Sequence, residues 1–268
     1  MKYALVRGSK SEAMKGVAGI CPNCGEPLIA KCGPLKINHW AHKGIRTCDA
    51  WWEPETLWHR NWKNEFPGDW QEKPRFDGVT VEKHIADIVT NQNLVVEFQH
   101  SYILPEERVA REAFYKNMIW VVDGARRKRD CQRFLKGRSS FVAIGPGLYK
   151  VFDFEDFWPA CWIGSHVPVV VDFSGVQSTP EDPSLKDVLY CLFPTRIGRY
   201  GVVAALSREI LVGSVKSGNW SEWSASIVNG LELLRKEQVE KSRLLERQKT
   251  NAAFRNLMGF KRVRRRRF

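Results

Sequence analysis

His84-Ile-Ala-Asp-Ile-Val-Thr-Asn-Gln-Asn-Leu-Val-Val-Glu-Phe-Gln-His-Ser101 is the stretch that decides the fold. It reads as two short β-strands and a tight turn. Ile85–Val89 alternates around Asp87, and Leu94–Gln99 is β-branched and aromatic, as half-buried strands are. Asn91-Gln92-Asn93 is the turn signal. A hairpin folded about Gln92 sets Asp87 opposite Glu97. Opposite residues share a face of the sheet, with Cβ atoms roughly 5 Å apart. Alternation adds Gln99 and Ser101 to that face and sends Val96 and Phe98 to the other.

Two facing anions are unfavourable without compensation. A divalent cation with oxygen ligands supplies it, and magnesium is commonly held by one or two carboxylates plus substrate phosphates. The plain alternative is a solvated hairpin with two acids on its wet face.

Asp87 and, ten positions on, Glu97-Phe98-Gln99 at the end of an apolar strand resemble the PD-(D/E)xK nuclease superfamily, with Gln99 where Lys is usual. More narrowly, residues 21–130 resemble the competence protein CoiA-like nuclease family. The matching segments are Cys21-Pro-Asn-Cys24, His39-Trp-Ala-His42, Trp52–Arg60, His84–Ser101, Glu106–Asn117 and Trp120–Gly124. The resemblance implies a restriction-endonuclease-like core and a Mg²⁺- or Mn²⁺-dependent DNA nuclease. Asp87 and Glu97 match the metal ligands. Glu55, on the preceding helix, matches a third ligand or the holder of a metal-bound water. His59 and Lys63 also match the CoiA-like pattern, and either would supply the charge that Gln99 lacks. Gln99 would hydrogen-bond the attacking water or a phosphate oxygen through its NH₂ group.

Elements read outward from the hairpin give the same order. Pro54–Asn64 is an expected amphipathic helix with Pro54 in its first turn, placing Glu55, His59 and Lys63 on one polar stripe and Leu57, Trp58 and Trp62 inward. Trp70–Phe76 is an expected strand, and Pro105–Asn117 a helix with Glu106 and Glu107 in its first turn. Arg108, Arg111 and Glu112 lie on that helix as a solvated face or as phosphate contacts. Ile119–Val122 is a buried strand. The result is a mixed α/β (α+β) core in the order α-β-β-β-α-β.

Upstream, Cys21-x2-Cys24 followed by His39-x2-His42 reads as a structural zinc set of two thiolates and two imidazoles. The second spacing is short. On an extended strand His39 and His42 face opposite ways, so both ligate only if Trp40-Ala41 turn helically. Cys48 is the substitute ligand and Cys32 a weaker one. Unligated reduced cysteines with surface histidines are the alternative.

The chain has 268 residues, 43% hydrophobic and 12% aromatic, which supports a real core and argues against general disorder. Seven cysteines, four of them before residue 50, suggest metal binding more than disulfides. No apolar run approaches the roughly 20 residues of a membrane span. The start lacks a signal-peptide apolar region, and the expected location is cytoplasmic. Of the net charge of +12, residues 235–268 carry +10, thirteen Lys/Arg against three Glu, leaving about +2 for the rest. That places polyanion attraction in the tail. Lys261, Arg262, Arg264, Arg265, Arg266 and Arg267 are candidate nucleic-acid contacts, as is the run Arg126, Arg127, Lys128, Arg129 after the last core strand.

The expected organisation is a zinc module (1–50), a nuclease-like core (51–137), an α/β extension (138–230) and a charged helix with basic tail (231–268). In the extension, Phe141–Ile144, Tyr149–Phe152 and Val167–Phe173 read as strands, and the chain after Gly201 as mostly helical. The expected partner is DNA, in uptake or recombination, with recombination proteins as further candidates. The runner-up function is a DNA-binding protein of the same fold without catalysis, and a blander one is a zinc-stabilised adaptor whose tail recruits RNA or a partner.

Overall fold

A computed structural model describes residues 1–268 except 45–47, 79, 176–186 and 264–268, with backbone only at 128 and 257–263. The first 42 residues form an antiparallel sheet, richer than the single strand expected before Cys21. Its strands are β1 (Tyr3–Val6), β2 (Ser9–Glu12), β3 (Ala18–Ile20), β4 (Pro27–Gly33) and β5 (Lys36–His42), in the order β2-β1-β3-β4-β5. Trp40 is buried at its centre, and its indole N–H donates to Ser11 O. Gly19 is required beneath that ring, because a Cβ there would stand 2.7 Å from Ala4 Cβ.

Next come α1 (Leu57–Asn64), β6 (Gln71–Phe76), β7 (Lys83–Val89), β8 (Val95–Gln99), α2 (Pro105–Tyr115) and β9 (Met118–Asp123). This is the expected α-β-β-β-α-β order in a mixed sheet. The helix starts later than its sequence suggests. Thr56 is the N-cap, its side chain accepting from His59 N–H, and a side-chain cap fixes a helix start more firmly than a nearby proline. Glu55 therefore lies before α1 and not on its polar stripe. Leu57, expected inward, is exposed, whereas Trp62 is fully buried.

The remaining elements are α3 (Lys128–Arg138), β10 (Val142–Gly145), β11 (Leu148–Phe152), α4 (Ala160–Ile163), β12 (Val169–Asp172), β13 (Leu189–Leu192), β14 (Tyr200–Leu206), α5 (Arg208–Ser217) and α6 (Asn219–Val263). Strand β14 replaces expected helix. Its apolar run is paired on both sides, by β11 and β13, and almost wholly buried. Strands of the expected core and extension share one nine-stranded sheet, β10-β11-β14-β13-β12-β9-β8-β7-β6. Strands β8, β9 and β12 run parallel; the other pairings are antiparallel.

Each face of this sheet has its own core. Trp62 and Phe66, from α1 and the turn after it, pack with Leu211 and Trp220 of α5 and α6 over Phe98 and Val121. Tyr115 of α2 and Phe134 of α3 pack over Trp120 and Val171 on the other face. Fully burying such side chains stabilises by about 1.5–3 kcal/mol each, so the strand ends carrying the polar groups below are rigidly held. From about residue 232 onward α6 is mostly exposed. Among the described residues, no helix is long and apolar enough to cross a membrane.

Candidate active site and metal centre

The hairpin register is the expected one, with Ile88 opposite Val96 and Val89 opposite Val95. At the next pair the side chains take over from the backbone. Asp87 N–H donates to Glu97 Oε1 at 3.0 Å, and Phe98 N–H donates to Asp87 Oδ2 at 3.0 Å. The two carboxylates are thus wedged between the strands, side by side, at the edge of a hollow of about 60 Å³.

Lys63 reaches into this hollow from α1. Its Nζ lies 3.0 Å from Asp87 Oδ1, 2.9 Å from Glu72 Oε1 and 3.3 Å from Glu55 Oε2. Burial alone would pull the lysine pKa down, but Asp87, Glu55 and Glu72 hold it well above its ordinary value. Lys63, not His59, is therefore the fixed positive charge beside Asp87. His59 Nε2 meets Phe98 O at 2.9 Å and Glu53 Oε2 at 2.9 Å.

Glu72 was not legible as a site residue. It adopts φ +47° and accepts the backbone N–H groups of Lys2 (2.7 Å) and Tyr3 (2.8 Å). Burial would raise its carboxyl, but the Lys63 charge and these amides outweigh that and hold it at about 2. Glu55, expected near the metal, is engaged by Lys63 and by Arg60 Nε at 3.2 Å. Burial would likewise raise it, and Lys63, with the N-terminal ammonium and Arg60, more than compensates.

Glu97 is the unsettled acid. Burial and the neighbouring Asp87 push its carboxyl up to about 8, although Arg111 Nη1 stands 3.4 Å away. Arg111, read from sequence as a solvated or phosphate-contacting residue, is buried, and it also donates to Trp51 O and Glu107. Arg108 and Glu112 are buried too, paired at 2.8 Å, so neither forms a solvated face.

Gln99 departs from its expected use. Its amide N–H₂ donates to Glu53 Oε1 at 2.7 Å and to Ser101 O at 3.2 Å. Its Oε1 is buried with no hydrogen-bond partner. An unpaired buried oxygen suits a cation or a cation-bound water, which is hard oxygen-ligand chemistry, but Gln99 does not line the hollow that holds Asp87 and Glu97. Glu53, missed in the sequence, is saturated with donors. Besides Gln99 it accepts His100 N–H at 3.2 Å, Ser101 N–H at 2.6 Å and Ser101 Oγ–H. Pro54 favours the extended backbone that Glu53 needs, but nothing local announces its partners.

The Cys/His site is better defined. Cys21, Cys24, His42 and Cys48 bring one ligand atom each to within 4.8 Å of one another. Cys21 Sγ lies 3.9 Å from Cys48 Sγ, and Cys24 Sγ lies 3.3 Å from His42 Nε2. A tetrahedron with metal–sulfur bonds of about 2.3 Å has edges of about 3.8 Å, so the four fit zinc. Burial and the neighbouring thiols push the Cys48 thiol up to about 12, so a cation is needed to hold it as thiolate. The knuckle closes through Gly25 N–H donating to Cys21 O, with Gly25 at φ +77°.

His39 is not a ligand. Strand β5 runs unbroken through His42, and positions three apart on a strand face opposite ways. The His39 ring instead meets Ile37 O at 2.9 Å. Cys48 completes the set, and Cys32 donates to Ala13 O.

Of the basic run, Arg126 donates to His100 O at 3.1 Å, Arg127 caps α3, and Arg126, Arg127 and Arg129 are exposed. Lys261 and Arg262 fall on the backbone-only part of α6, and Arg264, Arg265, Arg266 and Arg267 lie outside the described residues.

Residues 8–50, which contain all four clustered ligands, match the family described as competence protein CoiA, N-terminal domain. Competence protein CoiA of Bacillus subtilis (strain 168) is 28% identical over 145 residues, 49% of this chain. The match covers 38% of the length of that CoiA. No solved structure matches.

Proposed function

We propose that this CoiA-related chain is a Mg²⁺- or Mn²⁺-dependent DNA nuclease serving DNA uptake or recombination. The observation that carries the reading is the Asp87–Glu97 pair with the Lys63 ammonium 3.0 Å from Asp87. Six carboxylates line the hollow against Lys63 and Arg111, so it repels phosphate until a cation enters. Asp87 and Glu97 would hold that cation. When bound, the metal supplies a water of lowered pKa and neutralises charge on the phosphoryl oxygens.

The chain's own residues do the rest. Lys63, fixed by Glu55 and Glu72, keeps a full positive charge where the transferring phosphoryl group gains negative charge. In this reading the charge that a motif lysine would supply comes from Lys63 of α1. Arg111 stabilises Glu97 as it ionises. Exposed Arg126, Arg127 and Arg129 and the basic tail would hold the DNA backbone. The Cys21, Cys24, His42 and Cys48 site would be structural, since four protein ligands leave no open position.

A second reading has one observation of its own. Two other acids lining the hollow are engaged, Glu53 by five donors and Glu55 by three cations, so neither is free to serve as a third carboxylate for metal. This favours a DNA-binding protein of the same fold without catalysis. Titration of Mn²⁺ into the zinc-loaded protein separates the two. A nuclease binds Mn²⁺ at a site lost in Asp87→Asn, whereas a non-catalytic binder shows no such site.

A further inference from the structure

We infer that the rim of the acid hollow is a stacking surface for single-stranded DNA. The position of the scissile phosphate rests on the nuclease reading; the strand preference rests on observations of its own.

The hollow, at about 60 Å³, admits a cation and a few waters but no nucleoside. Base and sugar must therefore lie on its rim, and the rim is aromatic. Trp52 lines the hollow and remains 45% exposed. Glu53 binds the backbone of His100 and Ser101, which ties the residue after Trp52 to the residues just before Tyr102. Trp52 and Tyr102 (56%) are thus exposed on either side of this junction, and Leu57 (62%) and Leu104 (57%) are exposed farther along the two segments. Scattered exposed apolar residues need no explanation, but a cluster beside a polar hollow marks a binding surface.

The same rim carries charge of the sign that DNA needs. Tyr102 lines a second hollow with Arg126 and Arg127. Arg126 is anchored on His100 O, and Arg127 is 64% exposed at its side chain, with its Nε 3.8 Å from Asp130. Aromatic faces beside guanidinium groups fit unpaired bases and the phosphates joining them. A duplex hides its base faces in the stack and gains only the phosphate contacts. Apolar side chains alone would equally suit a protein partner; the paired arginines select the nucleic acid.

The test is fluorescence anisotropy with the full zinc-loaded chain, in about 0.2 M salt to suppress the tail's contribution. Mg²⁺ and Mn²⁺ are left out so that nothing is cut. The probes are labelled oligo(dT) of roughly 20 nucleotides, longer than a single stacking site, and a duplex of the same length. The expected result is tighter binding of oligo(dT), weakened about 5- to 100-fold by Trp52→Ala and by Tyr102→Ala, with Trp52→Phe retaining most of the affinity. Duplex binding should not change. Equal binding of both probes, or oligo(dT) binding unmoved in both alanine variants, overturns the inference. Because the readout needs no cleavage, failure here leaves the nuclease reading standing, and an uncutting protein that shows the stacking effect leaves only the strand preference standing.

Discussion

Asp87 and Glu97 each accept a backbone N–H from the other's strand, Glu97 from Asp87 itself and Asp87 from Phe98. The exchange fixes both carboxylates to the backbone, so neither can swing away to relieve repulsion. A pair held this way would suit the proposed cation, and the two acids are separable by mutation.

Glu97→Gln keeps an oxygen to accept Asp87 N–H and closely matches the protonated carboxyl that Glu97 carries without metal. It also prevents the group from ionising beside Asp87, and replacing a buried ionisable group by a neutral one that still fits is often neutral or stabilising. The expected outcome is unfolding stability unchanged or raised by about 1 kcal/mol in metal-free protein, with Mn²⁺ binding lost. Denaturant unfolding and a Mn²⁺ titration on the same sample check it; a large destabilisation would show that Glu97 is ionised and paired without metal.

Lys63→Met should do the opposite. It leaves Asp87, Glu55 and Glu72 crowded without their shared cation, and breaking a buried pair from one side costs about 3–5 kcal/mol. Adding Glu72→Gln to Lys63→Met should recover part of that loss, a coupling that a double-mutant cycle measures.

Two acids give opposite pH signatures. Glu72 is held at about 2, below its ordinary 4.5, so its stabilisation is present above 4.5 and lost as pH falls toward 2. Thermal unfolding should show a steeper acid loss in wild type than in Glu72→Gln. Glu97, raised to about 8, keeps its proton in the folded chain between 4.5 and 8 while the unfolded chain has lost it. Metal-free stability from this group is full below 4.5 and declines as pH rises through that window. Mn²⁺ binding near pH 7 should then release a proton, seen as a calorimetric heat that depends on the buffer's ionisation enthalpy. No buffer dependence would mean that Glu97 is already ionised.

Zinc content distinguishes the two histidines. His42→Ala should lose stoichiometric zinc and His39→Ala should keep it, measured by elemental analysis of purified protein. Stripping the metal should also loosen the acid hollow, because Cys48 leads directly into Asp49. That residue accepts from Ile85 N–H at 2.9 Å and pairs with His84 at 3.0 Å. Hydrogen exchange at Ile85 should rise on zinc removal; unchanged protection there would show that the two sites are independent.

The parts of this arrangement that were legible in sequence are local. Alternation around Asp87 and a three-residue polar turn set the register that puts Glu97 opposite, because a strand's period leaves only one face for the acids. The parity of His39 and His42 already implied that an unbroken strand brings only one of them to the cysteines. Glu53 and Glu72 were invisible because the backbone N–H groups they accept from lie 47 to 70 residues away. Glu55 was misplaced because Pro54 signals a helix start that Thr56 overrides from two residues on. Gly201–Leu206 read as helix because a short apolar run has no distinguishing period; its neighbours β11 and β13 decide it.

The most direct test of the central claim is cleavage of labelled single-stranded and duplex DNA by the full zinc-loaded protein, with and without added Mn²⁺, wild type beside Asp87→Asn. The account predicts Mn²⁺-dependent cutting by the wild type and none by the variant, whose neutral amide cannot hold the cation. Equal cutting by both would contradict the assignment of Asp87, and no cutting by a wild type that still binds DNA would contradict the nuclease itself.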